Sequence, residues 1–296
     1  MMFALDLLVG LAVLSLAASL VNGGIGYGYS SLSTPLAILY LVNKVINPVY
    51  VLVEACINTV MLGFSGKSNV RATFRRVLPV IVTLVPGIVL GSLFLAFINS
   101  TWLKLVVYVS LLPLILLQAG GLRRPIKSEG KAGAPLGLGI GLMYSVTTIS
   151  GPPIALFLNN QGLVKGEFKA AIAQVRIAES YLTIASYSLL GLFTGTTFQL
   201  FTWVAPPILV GIPVGMVVAK KVGAETFRRL CMSFDAWIVG YGLAVILGTL
   251  FGLLNVGYAI WGLVIAIDAW LLYRFFTGRR VLFGPTGAAP PDAGAH

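Results

Sequence analysis

Four side chains bring polar chemistry into stretches that are otherwise apolar: Glu54, Asn58, Arg176 and Glu179. An ionisable group at the centre of a membrane helix costs roughly 2.5–3.5 kcal/mol on insertion scales, so each needs a reason to be there. In 48–66, Glu54, Asn58, Met61 and Ser65 follow helical spacing. In 170–192, Arg176, Glu179, Ser180, Thr183 and Tyr187 form a polar stripe at steps of three and four. A guanidinium grips two oxygens of an anion at once, and a buried carboxyl is a carrier for a coupled proton. The predicted chemistry is recognition of a small anion by Arg176, with Glu54 or Glu179 carrying the proton. Arg176 and Glu179, three apart on one helix face, also suit mutual neutralisation, and both readings stand.

Two interrupted segments would complete such a site. The first is Asn22-Gly23-Gly24-Ile25-Gly26-Tyr27-Gly28-Tyr29-Ser30, followed by Ser31 and closing on Ser33-Thr34-Pro35. Its glycines permit left-handed backbone angles where a half-helix ends. Thr34 suits an N-cap, and Pro35 the first position of the next half-helix. The second is Thr147-Thr148-Ile149-Ser150-Gly151-Pro152-Pro153, with Ser150 or Gly151 able to cap. Glycines that only let helices pack and prolines that only kink are the blander alternative. Irregular backbone at membrane depth survives only where it is buried in protein or lines a wet cavity, and helix N-termini favour anions. A terminus supplies only about 0.3–1 kcal/mol, up to about 2 when partly buried. Dehydrating an anion costs several kcal/mol, so Arg176 is needed as well. The expected binding set is Asn22, Gly24, Gly26, Gly28, Ser30, Ser31, Thr34, Asn58, Thr148, Ser150, Gly151, Pro152 and Arg176. Gly24-x-Gly26 is not a dinucleotide fingerprint, because Tyr29 takes the place of the third glycine and no strand precedes it.

The elements that must position these residues follow from composition. Of 296 residues, 58% are hydrophobic and 10% charged, with a mean hydropathy of +0.96. A soluble domain carries roughly 25% charged residues, so a water-soluble fold is excluded. Apolar runs occupy 3–21, 31–42, 48–66, 77–98, 102–120, 135–149, 153–161, 170–192, 199–219, 232–250 and 254–273. They are apolar all round, which means membrane helices rather than alternating barrel strands. Runs 31–42, 135–149 and 153–161 are too short to cross comfortably, given about 20 residues per span. The predicted class is an all-α polytopic membrane protein.

The net charge of +11 lies in short clusters between these runs, which excludes a nucleic-acid surface and marks cytoplasmic loops. The clusters are Lys67/Arg71/Arg75/Arg76, Arg123/Arg124/Lys127/Lys131, Lys165/Lys169, Lys220/Lys221/Arg228/Arg229 and Arg274/Arg279/Arg280. With all five inside, 135–161 enters and returns as a re-entrant hairpin, the C-terminus is cytoplasmic and the N-terminus outside. Residues 3–21 either cross alone or form half of a like hairpin. The apolar start lacks a basic region ahead of it and is expected to be retained.

The halves repeat. Pro-Leu-Ala-Ile-Leu-Tyr at 35–40 matches Pro-Ile-Ala-Leu-Phe-Leu at 153–158. Pro79 and Pro86 are spaced like Pro206 and Pro213, and Gly87/Gly91 like Gly211/Gly215. These Gly-x-x-x-Gly pairs predict close helix contact. Two inverted repeats follow, each a broken hairpin plus three helices: 1–120 and 135–250, joined by a cytoplasmic linker at 121–134. One further helix occupies 251–273, and 274–296, rich in Gly, Pro and Ala, reads as a disordered tail. Inverted repeats with broken helices are an architecture of secondary transporters.

Lys104, Asp235 and Asp268 lie near helix ends and are expected to reach the interface by snorkelling. Cys56 reads as a small buried side chain. With two distant cysteines and His296 as the sole histidine, no disulfide framework, metal set or cofactor is expected. The absence of a nucleophile–base pair speaks against an enzyme. The residues alone reach a transporter of a small anion, a carboxylate among the candidates, with an anion channel as the alternative.

The Gly-rich break at 22–35, its partner Ser150-Gly151-Pro152-Pro153 and the repeat organisation over about residues 5–250 resemble the TauE/SafE family of sulfite exporters. The resemblance implies multi-pass location in the bacterial inner membrane. It also implies transport, mostly outward, of sulfite, sulfonates or related organosulfur anions. The expected partners are that anion and the lipid bilayer, with a second copy of the chain, as a homodimer, a further candidate.

Overall fold

The computed structural model describes residues 4–64, 66–120, 129–158 and 165–277. The linker cluster at Arg123, Arg124 and Lys127, most of the 121–134 linker and the tail beyond Thr277 lie outside the described residues. The described chain is all helix: α1 (Leu5–Ile25), α2 (Tyr29–Tyr40), α3 (Asn43–Phe64), α4 (Lys67–Phe97), α5 (Ser100–Ala119), α6 (Glu129–Thr147), α7 (Gly151–Leu158), α8 (Lys165–Leu189), α9 (Gly195–Val204), α10 (Pro206–Val222), α11 (Ala224–Phe251) and α12 (Leu254–Phe276). Seven described segments are long and apolar enough to cross a membrane, with α9 and α10 counted as one. The chain is thus a multi-pass membrane protein. α1, at 21 residues, is among the seven. α2 has 12 residues and α7 has 8, about 18 and 12 Å of rise, well short of a hydrocarbon core of about 30 Å.

Several boundaries differ from the sequence expectation: α4 and α11 begin at Lys67 and Ala224, ahead of the apolar runs 77–98 and 232–250, so basic residues expected in loops lie on helices. α1 runs on through Asn22, Gly23 and Gly24, so the first interruption narrows to Gly26-Tyr27-Gly28. Gly26 (φ 86°) and Gly28 (φ 106°) adopt the left-handed angles that close α1 and open α2. Gly23 and Gly24 instead serve packing. A Cβ at Gly23 would overlap the Ile212 carbonyl of α10, and one at Gly24 the Phe227 ring of α11. Thr34 and Pro35 consequently sit inside α2 and do not cap it. The run 199–219 is cut at Ala205, because Pro206 and Pro207 have no N–H to continue α9. Thr194 and Thr197 cap α9 reciprocally.

Close backbone approach holds the bundle together, since lipid removes the hydrophobic drive between helices. α4 packs most extensively on α6, and α1 on α10. In the first pair, Cβ atoms at Gly87 and Gly91 would overlap the Leu138 carbonyl and the Ser145 hydroxyl of α6. In the second, Cβ atoms at Gly211 and Gly215 would overlap the Ser19 hydroxyl and the Leu20 carbonyl of α1. α3 and α8 pack against each other, α8 also against α4, α5 against α11, and α11 against α12.

Asp235 and Asp268 are buried, at 6% and 0% exposure, so the snorkelling expectation is overturned for both. Packing of α12 on α11 turns Asp268 inward, where its carboxylate accepts from Arg229 at 2.8 Å. Arg229 also donates to the Ser233 hydroxyl at 3.0 Å. Lys104 is partly buried. Cys56, expected inside, is exposed, because α3 turns Glu54 and Asn58 inward and the intervening face outward.

Candidate functional site

The two interruptions meet. Tyr27, buried between the two left-handed glycines, lies against Gly151 at the start of α7, where a Cβ would stand 2.7 Å from the tyrosine Cδ2. The Thr34 and Thr148 hydroxyls are 2.9 Å apart. Thr148 ends α6 with φ 60°, the one non-glycine residue with positive φ among the described residues. That angle is an outlier for a β-branched side chain and costs roughly 1–3 kcal/mol. The surroundings hold it there. Its N–H donates to the Tyr144 carbonyl at 2.6 Å and its hydroxyl to the Thr147 carbonyl at 2.6 Å.

Each interruption delivers a serine to a carboxylate. Ser30, in the first turn of α2, donates to Glu54 Oε1 of α3 at 2.6 Å. Ser150, which caps α7, donates to Glu179 Oε2 of α8 at 2.5 Å. Arg176 Nη2 also reaches Glu54 Oε1, at 2.5 Å. The guanidinium therefore crosses from α8 to α3 rather than pairing with Glu179 on its own helix. Asn58, one turn beyond Glu54, donates to Ser180 Oγ at 3.1 Å and to the Arg176 carbonyl at 3.4 Å. Tyr144 of α6 joins Ser180 at 3.0 Å. Glu54, Asn58, Arg176, Glu179, Ser180 and Thr183 are all buried. Several of their atoms, namely Glu54 Oε2, Arg176 Nε, Glu179 Oε1 and Thr183 Oγ1, have no hydrogen-bond partner among the described residues.

The donors at the two helix starts are unequal. Leu32 N–H bonds the Gly28 carbonyl, so the N–H groups of Tyr29, Ser30 and Ser31 are those a helix leaves without an internal acceptor. At α7 the first intrahelical bond runs from Ile154 to Ser150. Pro152 and Pro153 have no N–H, which leaves Gly151 as the only amide donor among the first three residues of α7.

Glu54, Asn58, Arg176, Glu179, Ser30, Thr34, Thr148, Ser150 and Gly151 thus converge through direct bonds or through the contact between the interruptions. Gly26 and Gly28 shape the first interruption. Ser31 is buried beside Ser30, and Pro152 occupies the first turn of α7. Asn22 is buried in the last turn of α1, its carbonyl accepting from Gly26 and its side-chain Oδ1 unpartnered. Gly24 faces α11 and stands apart from this group. Tyr27 and Tyr144 were not singled out by the sequence, although a tyrosine flanked by two glycines, or one polar tip in the apolar end of α6, was the available signal. Among the described residues no cluster of His, Cys, Asp and Glu could hold a metal.

No curated protein and no solved structure matches the chain. A sequence-family profile described as Sulfite exporter TauE/SafE matches residues 11–241, from within α1 to within α11. That segment contains both interruptions and the helices that bring Glu54, Arg176 and Glu179 together, and it stops short of α12. The chain belongs to the TauE/SafE family of sulfite exporters.

Proposed function

We propose that the chain is a secondary transporter that exports sulfite or a small organosulfonate anion across the bacterial inner membrane. The anion sits between the starts of α2 and α7, held by backbone N–H groups, hydroxyls and Arg176. The observation that carries this reading is one buried guanidinium beside two interrupted helices that meet. Glu54 pairs with Arg176. An entering anion competes for the guanidinium, and a proton on Glu54 or Glu179 offsets the carboxylate charge it displaces. Proton and anion then move together.

Alternating access follows from two inverted repeats, 1–120 and 135–250, rocking against each other with the N-terminus periplasmic and the C-terminus cytoplasmic. The contact pattern supports the repeat. Each short hairpin leans on the other half's long helices (α6 on α4, α1 on α10), and the equivalent helices α3 and α8 face each other.

The deciding experiment is a binding screen on purified protein with sulfite, sulfate, thiosulfate, sulfoacetate and taurine, and acetate as control. A sulfur anion should bind and acetate should not. Arg176→Ala should weaken binding by roughly 10- to 100-fold, the worth of a charge-assisted hydrogen bond, while Arg176→Lys keeps a fraction. Glu54→Gln should tighten binding, because it removes the competitor for Arg176, and whichever of Glu54→Gln and Glu179→Gln makes flux insensitive to an imposed pH gradient identifies the proton carrier. Wild-type affinity in Arg176→Ala eliminates the site. Wild-type flux that ignores the pH gradient and is too fast for a rocking cycle assigns a channel.

A further inference from the structure

A second place on the molecule is built for an anion. Where α3 ends and α4 begins, beside α8, the surface is hollowed into a cavity of about 650 Å3. Its lining carries Lys67, Arg71 and Arg75 of α4, with apolar surface from Leu62 of α3, Phe74 of α4 and Ile177 of α8. None of the described lining residues is acidic. None of the three cations forms an ion pair with a described residue.

Their positions are unfavourable on the protein alone. Lys67, Arg71 and Arg75 recur every four residues along one face of α4, a spacing at which like charges repel. Lys67 also opens α4, where the helix dipole is itself positive. Fixing membrane orientation requires cations near this end of the span but does not require them around one hollow. A bound negative group resolves both penalties. The volume corresponds to on the order of twenty waters, far more than a small oxyanion fills. Phe74 is 47% exposed and adds open apolar surface beside the cations.

We infer that this cavity seats an anionic phospholipid, with its phosphate on Lys67, Arg71 and Arg75 and an acyl chain along Leu62, Phe74 and Ile177. A basic hollow at the end of a membrane-crossing helix is suited to a lipid headgroup. The inference stands independently of the transported substrate.

The test is lipid titration of the detergent-purified full chain, comparing phosphatidylglycerol with phosphatidylcholine of the same chains. The readouts are the thermal unfolding midpoint and lipid retention by native mass spectrometry. Phosphatidylglycerol should raise the midpoint and be retained, whereas phosphatidylcholine should not. K67Q/R71Q/R75Q should weaken retention roughly 100-fold and R71Q alone about fivefold. The charge-keeping K67R/R71K/R75K should stay close to wild type, as should the control K220Q/K221Q at the far end of α10. Two results overturn the inference. One is retention of phosphatidylglycerol in the triple glutamine variant equal to the control. The other is an equal midpoint rise from inorganic phosphate or sulfite that depends on the same three residues, which assigns the hollow to free anions.

Discussion

Glu54 Oε1 accepts from both Arg176 and Ser30, so one carboxylate oxygen ties the α8 stripe to the start of α2. The four polar residues could be picked out of the sequence because charge in an apolar run is costly. Their pairing could not. Arg176 and Glu179 are three residues apart on one helix, which suggests local neutralisation, and only the packing of α3 against α8 brings Glu54 closer. Thr148 was legible as a break residue but its backbone angle was not, since nothing local marks a threonine for φ 60°. That angle gives a clean test. Thr148→Gly and Thr148→Ala both delete the hydroxyl bonded to Thr34, but only glycine relaxes the left-handed backbone. The glycine variant should therefore be the more stable of the two by about 1 kcal/mol or more, read as a difference of a few degrees in unfolding midpoint.

Helix existence was readable along most of the chain, because all-round apolar runs of this length leave little alternative. Helix ends were less so. Glycine has two uses, bending the chain and letting helices touch, and the sequence does not separate them. In Gly23-Gly24-Ile25-Gly26-Tyr27-Gly28 the first two glycines pack and the last two turn. The Gly-x-x-x-Gly pairs were legible because their spacing places both members on one helix face. Gly87→Ala or Gly215→Ala should cost roughly 1–3 kcal/mol, since each new methyl meets a neighbouring carbonyl. Gly262→Ala on α12, where nothing lies within 4 Å, should be neutral or stabilising by about 0.5–1 kcal/mol. Thermal unfolding of the purified variants distinguishes the two classes.

At the scale of the whole molecule, α12 lies beyond the matched family segment, yet it is fastened by buried charge, with Arg229 to Asp268 at 2.8 Å. Asp268→Asn strands a buried guanidinium and should cost about 3 kcal/mol, whereas replacing both partners by apolar residues of similar size should restore most of the loss. Unfolding midpoints of the single and double variants check this. The pair was hidden in the sequence because both residues stand near helix ends, where reaching the interface is the cheaper expectation. A different consequence attaches to the reciprocal seating of α6 on α4 and of α1 on α10. The two halves are interlaced like clasped hands, so neither is a closed unit. A half-chain made alone would present a glycine-lined groove with no tenant, and could fill it only by trading arms with a twin.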